Sequence, residues 1–305
     1  MRLDLGYDGA DFAGWARQPG LRTVQGTLEA ALGTVLRIPE PRLTVAGRTD
    51  AGVHARRQVA HVDVDRDVWR AVVGRIDGTP GQVLVRRLAG VLPADVVVHA
   101  ATEAPAGFDA RFSPLSRRYV YRVADDPVTV DPLRRAAVLR HRVPLAAAAM
   151  HEAARPLVGL HDFAAYCRPR PGATTIRTVL GLDVARPADG ADAGLVTVTI
   201  EADAFCHSMV RSIVGGLLAV GEGRRDVGWP GELLAAGERV APVAPAQGLT
   251  LEQVVFPPDA ELAARADVTR ARRTTAEAAG CGCGDDDANG TAGDEAADRA
   301  QDAGE

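Results

Sequence analysis

The chain has 305 residues, 47% of them hydrophobic, enough for one large folded domain or two smaller ones. The first residues, MRLDLGYDGADF, carry charge and glycine where a secretory leader needs an apolar run, and no stretch reaches bilayer-spanning length. A soluble, cytoplasmic protein is therefore expected. The net charge of −5 divides unevenly: residues 259–305 hold twelve Asp/Glu against five Arg, a balance of −7, and the other 258 residues stand at +2. A mildly basic body admits a nucleic-acid partner without requiring one. All 35 basic residues are Arg, so any phosphate contact uses a guanidinium fork. The four cysteines, Cys167, Cys206, Cys281 and Cys283, are too few and too unevenly placed for a disulfide framework, which fits a reducing compartment.

In chain order, Leu3, Leu5 and Tyr7 alternate with polar or small residues and predict a strand. Val24, Leu28, Leu32 and Val35 fall at helical spacing behind Thr23, a suitable N-cap. LTVAGRTDAGVHARRQVAHVDV reads as strand, glycine-punctuated loop and strand, and residues 66–75 as helix. VLPADVVVHAA returns to strand. RRYVYRV at 117–123 predicts a strand with Tyr119, Tyr121 and Val123 on one face and Arg118, Val120 and Arg122 on the other. A helix through about 144–157 is interrupted near Pro156, LVTVTIEA at 195–202 is a strand, and HSMVRSIVGGLLAVGEG is a helix apolar nearly all round. The expected class is α+β with antiparallel sheets. The expected division is an N-terminal α+β domain at 1–125 and a C-terminal one at 140–258. A disordered acidic tail is expected over 259–305, where aromatics vanish. Cys281-Gly-Cys283 lacks zinc-site spacing and reads as incidental.

Three features could carry chemistry. Gly47-Arg48-Thr49-Asp50-Ala51-Gly52-Val53-His54 places a carboxylate on a tight loop between strands, with Arg48 beside it. Residue type alone favours a plain turn former over a catalytic Asp50. Arg211 lies on the apolar helix, where a guanidinium needs a carboxylate partner; that partner is any nearby acid, or Asp50, held ionised and aimed. Tyr119 in Arg117-Arg118-Tyr119 is either core or a surface for stacking a base, with phosphate-binding arms beside it. Arg111, Arg117, Arg118, Arg122, Arg134 and Arg135 cluster in sequence as a solvated face or a backbone-binding stripe. His54, His61, His161 and His207 lack metal-ligand spacing and read as structural or exposed. Neither a phosphate-binding P-loop, a GxGxxG fingerprint nor a GxSxG elbow is present, which argues against an ATPase, a dinucleotide dehydrogenase and an α/β-hydrolase.

Together these stretches resemble the bacterial tRNA pseudouridine synthase A family. The markers run from Tyr7-Asp8-Gly9 and Phe12-Ala13-Gly14-Trp15 through Thr23-Val24-Gln25, the Arg48-Thr49-Asp50 loop and Phe108-Asp109-Ala110-Arg111-Phe112. They continue through Arg117-Arg118-Tyr119 and Ala204-Phe205-Cys206-His207-Ser208-Met209-Val210-Arg211 to Ala244-Pro245-Ala246-Gln247-Gly248-Leu249. The resemblance implies a two-part fold around a central basic cleft. It implies a homodimer without metal or organic cofactor, and isomerisation of uridine to pseudouridine in the tRNA anticodon stem-loop, at positions 38, 39 and 40. It assigns Asp50 as nucleophile, Tyr119 as the ring that packs on the target base and helps remove the C5 proton, and Arg211 as partner of the catalytic carboxylate. Arg48 is assigned to extruding the target nucleotide. Arg111, Arg117 and Arg118 are expected substrate contacts. His207-Ser208 departs from the His-His of many relatives, and neither residue is expected to touch Asp50. The competing readings are a non-catalytic RNA-binding module or RNA chaperone, which leaves Asp50 and Arg211 unexplained, and a hydrolase using Asp50 and a His.

Overall fold

The computed structural model describes residues 1–170, 174–237 and 239–270. Strand β1 (Arg2–Tyr7) leads through a loop to helix α1 (Val24–Leu36), then to β2 (Thr44–Val45) and β3 (His54–His61). Helices α2 (Arg66–Ala71) and α3 (Pro80–Ala89) precede β4 (Val96–Thr102) and β5 (Ser116–Ala124). The second half holds β6 (Leu139–Arg140), α4 (Ala147–Ala154), β7 (Gly159–Asp162), β8 (Ile176–Ala185), β9 (Val196–Ala202), α5 (Met209–Gly221) and α6 (Trp229–Ala236). It closes with β10 (Leu249–Val255) and α7 (Leu262–Arg270). The class is α+β, as expected, but the strands form one ten-stranded sheet ordered β4-β1-β3-β10-β5-β9-β8-β7, with β2 beside β3 and β6 beside β5.

Late in the chain, β10 returns to lie between β3, which it pairs in parallel, and β5, which it pairs antiparallel. That insertion carries the sheet continuously across the expected boundary near 125–140. It also sets the loop before β3 beside the residues leading into β10. The core is the apolar face of the sheet with α1, α4 and α5 against it, filled by residues such as Leu3, Leu5, Leu28, Leu32, Tyr121, Met150, Phe163 and Leu217.

Local chemistry explains the elements. Thr23 caps α1 by accepting from the Gly26 amide at 3.2 Å. Thr79 and Gln82 form a reciprocal capping box on α3, with Pro80 in its first turn. The α3 helix was not expected, although Thr-Pro-x-Gln is a start signal. The helix expected at 144–157 is shorter, and a 3₁₀ turn at Arg155–Leu157 takes over where Pro156 sits.

Two expectations need correction. The acidic tail is not structureless from 259, because α7 docks on the loop before β5. Leu262 and Ala266 are buried, and the Leu262 carbonyl accepts from Ser113 Oγ at 3.2 Å. Two apolar residues one turn apart suffice to seat a short helix on an existing surface. The remainder of the expected tail, 271–305, lies outside the described residues, as do Cys281 and Cys283. Cys167 and Cys206 are joined in a disulfide, with Cα atoms 5.7 Å apart across a separation of 39 residues. Their spacing carried no sign of this; the fold brings the segment after β7 against the segment before α5.

Candidate active site

The loop holding Asp50 is built by the N-terminal motifs. The Thr49 carbonyl accepts from the Trp15 amide at 3.0 Å, and Phe12 accepts from the Gly52 amide at 3.3 Å. Thr49 Oγ1 meets the buried Tyr7 hydroxyl at 2.8 Å. Gln58 donates to that hydroxyl at 3.3 Å and to the Gly47 carbonyl at 2.9 Å. Burial pushes the Tyr7 phenol up to about 12, so it stays a neutral hydrogen-bonding prop. Gly14 must be glycine: its φ is +99°, and a Cβ there would meet the Thr49 carbonyl at 3.0 Å.

The opposing wall comes from the start of α5. Every α5 residue is buried except Arg211, which turns toward the loop. Its Nη1 lies 3.3 Å from Asp50 Oδ2, and its Nε donates to the Ala244 carbonyl at 2.7 Å. The expected fully buried guanidinium is thus one-fifth exposed, with side-chain accessibility of 21%. Ser208 Oγ is 3.4 Å from Asp50 Oδ2, and His207 Nε2 is 3.3 Å from Oδ1. The expectation that His207 and Ser208 avoid Asp50 is therefore wrong. A readable signal existed: both precede Arg211 by one helical turn, on the same face. Ser208 is the N-cap residue of α5, so the carboxylate also sits at the positive end of that helix.

Tyr119 lines the same cleft from β5, with its ring edge-on to Phe205 at 5.2 Å. It is 7% exposed, and burial pushes its phenol well above the ordinary range, with Tyr7 and Asp50 adding to the effect and Arg117 opposing it. The resting group is a neutral phenol rather than a phenolate base.

Eight arginines and two aspartates line this cleft of about 810 Å³. Arg48 and Arg111 are there, exposed, with the Arg111 guanidinium over Phe112 at 4.9 Å. Arg170, Arg177, Arg265 and Arg270 also line it and were missed, because they come from distant segments.

The expected arginine stripe around β5 dissolves into separate roles. Arg117 faces the cleft from beneath, but its guanidinium is buried and donates to the carbonyls of Ala46 (2.7 Å), Arg111 (2.8 Å) and Asp203 (2.5 Å). Burial lowers it to about 10. Arg118 is on the opposite face, as strand alternation requires, where it donates to Gln253 at 2.8 Å. Arg122 and Arg134 pair with Asp192, and Arg122 also with Glu252. Arg117 is thus engaged by backbone carbonyls, while the exposed Arg118 stands on the face of the sheet opposite Tyr119.

A test follows. Arg117→Ala strands buried carbonyls and is expected to cost about 3 kcal/mol or more of unfolding free energy. Arg48→Ala should stay within about 0.5 kcal/mol of the parent, losing turnover instead. Urea unfolding beside a turnover assay separates the two, and equal stability of both variants would refute the assignment.

An α+β sheet carrying an arginine-lined cleft, with Asp50 ion-paired to Arg211 in its lining, is a site suited to a polyanion. A family model described as tRNA pseudouridine synthase matches residues 153–257. The tRNA pseudouridine synthase A of Frankia casuarinae is 58% identical over 275 residues, covering 90% of this chain and 95% of that protein. Those of Streptomyces avermitilis (55% over 286 residues, 92% and 96%) and Bifidobacterium longum (48% over 300 residues, 90% and 99%) match over similar spans. The chain belongs to the tRNA pseudouridine synthase A family. Among the described residues, no helix is long and apolar enough to cross a membrane.

Proposed function

We propose that the protein isomerises uridine to pseudouridine in the anticodon stem-loop of tRNA, at positions 38, 39 and 40, acting as a homodimer in the cytoplasm. The observation that carries this reading is Asp50, held by Arg211 at the floor of the arginine-lined cleft with Tyr119 beside it. The reaction moves the C1′ bond from N1 to C5 of uracil and exchanges the C5 proton for one on N1. Composition is unchanged, so the stoichiometry demands no oxidant or group donor. A stacked base must first leave the helix. Arg48, exposed at the rim, suits the gap left behind, and the Tyr119 ring suits the extruded base.

Asp50 supplies the electron pair. A serine would need a companion base to attack, whereas a carboxylate attacks without one. Exposed cleft arginines such as Arg111 hold phosphates and set affinity without reading sequence.

The test is tritium release from tRNA transcripts labelled at uridine C5, followed by mapping of the modified positions. Release with pseudouridine at 38–40 supports the reading. Modification elsewhere would move the substrate assignment. Binding without release on several tRNAs would leave an RNA-binding module instead.

A further inference from the structure

We propose that His207 is a positioning residue that, together with Ser208 and Arg211, locks the Asp50 carboxylate in the orientation from which it attacks. The proposal rests on the reading of Asp50 as nucleophile and adds a group to that site.

The argument begins with rotation. A carboxylate held only through Oδ2, by Arg211 and Ser208, still swings about its Cβ–Cγ bond. His207 Nε2 meets the other oxygen, Oδ1, at 3.3 Å, against 3.3 Å for Arg211 Nη1 and 3.4 Å for Ser208 Oγ on Oδ2. Each contact alone is long. They converge on both oxygens from one short segment, so swinging away loses all three.

That segment is itself secured. The His207 carbonyl accepts from the Arg168 amide at 3.0 Å, the preceding Cys206 is bonded to Cys167, and the Ser208 carbonyl accepts from the Ser212 amide at 2.9 Å. Ser208 has φ 63° and ψ 6°, a left-handed conformation that a serine adopts only when its surroundings impose it. This turn aims both the hydroxyl and the imidazole at Asp50.

The imidazole is suited to orienting a nucleophile without quenching it. Nδ1 is buried with no hydrogen-bond partner among the described residues. A second proton there would be a stranded donor, which favours the neutral ring. Burial lowers the affinity of the ring for a proton; Arg168, Arg170 and Arg239 act the same way, and Asp50 opposes them. A neutral ring 3.3 Å from Oδ1 limits the swing of the carboxylate without placing a second full positive charge on it.

The experiment measures single-turnover tritium release and tRNA dissociation constants for the wild type, His207→Ala and His207→Gln, with Asp50→Asn as the blank. The alanine variant is expected to slow release about 10²-fold while the dissociation constant stays within about threefold. Glutamine, whose amide offers a neutral donor at similar reach, is expected to recover to within about tenfold of wild type. Unchanged thermal midpoints for both variants establish that the fold is intact. Release by the alanine variant within about threefold of wild type overturns the proposal, as does a folded glutamine variant as slow as alanine. No release from wild type itself removes the nucleophile reading, and this one with it.

Discussion

Asp50→Asn is expected to lower tritium release at least about 10⁴-fold, to the assay floor, with tRNA affinity unchanged or slightly higher. The substitution is nearly isosteric, so the loop held by Tyr7, Trp15 and Gln58 has no reason to move. It removes the one property the site needs, an electron pair on an anionic oxygen. It also turns an amide toward Arg211 and Ser208 on one side and His207 on the other. Its amide oxygen can still accept from Arg211, while its nitrogen can donate to His207 Nε2 or Ser208 Oγ, so the fold is kept and only the anion is lost. On the proposed reading affinity comes from phosphate contacts of the other cleft arginines, and losing a negative charge among them does not weaken those contacts. Filter binding beside the release assay checks both halves. Turnover by the variant within about tenfold of wild type would remove Asp50 from the nucleophile's role.

The second large effect is expected inside α5, one turn beyond Arg211. Gly215, in the middle of α5, has no room for a side chain: an added Cβ would lie 1.9 Å from the Pro242 carbonyl oxygen, 2.7 Å from its carbon and 3.2 Å from the Ala244 amide nitrogen. These are backbone atoms and cannot rotate aside. Gly215→Ala therefore pushes α5 and the 242–244 segment apart. That segment is what grips Arg211, through Nε to the Ala244 carbonyl at 2.7 Å and the Ala244 amide to the Arg211 carbonyl at 2.9 Å. A stability loss of about 3 kcal/mol is expected from overpacking, with a further fall in turnover because Arg211 no longer meets Asp50 squarely. Gly181→Ala is the control, since no atom lies within 4 Å of its added Cβ. Urea midpoints and release rates for the pair decide the matter. Wild-type stability and turnover in Gly215→Ala would show that the helix and the segment separate freely.

Much of this was readable before any coordinates. The α1 helix followed from Val24, Leu28, Leu32 and Val35 behind the Thr23 cap, and the buried character of α5 from its lack of a polar face. Asp50 and Arg211 were picked out as partners although 161 positions separate them. Charge compensation on an apolar helix asks only for some nearby acid; the family resemblance names Asp50. Strand alternation put Arg118 across the sheet from Tyr119, yet it was grouped with the cleft because it stands next in sequence. Arg117 is a different case. Nothing in a run of arginines tells which guanidinium will be used by backbone carbonyls, here those of Ala46, Arg111 and Asp203.

By itself, then, the sequence determined α1, α5, the strands β1, β3, β4, β5 and β9, and the α+β class, while the resemblance supplied the family and the Asp50–Arg211 pairing. The elements depend on periodicity and capping, which act over a few residues. Only the tertiary structure decided that β10 enters the sheet between β3 and β5, that α7 docks beside the cleft, that Cys167 meets Cys206, and that His207 and Ser208 face Asp50. Those facts depend on which distant segments share space, and that is settled by packing of the whole chain rather than by any one stretch of it.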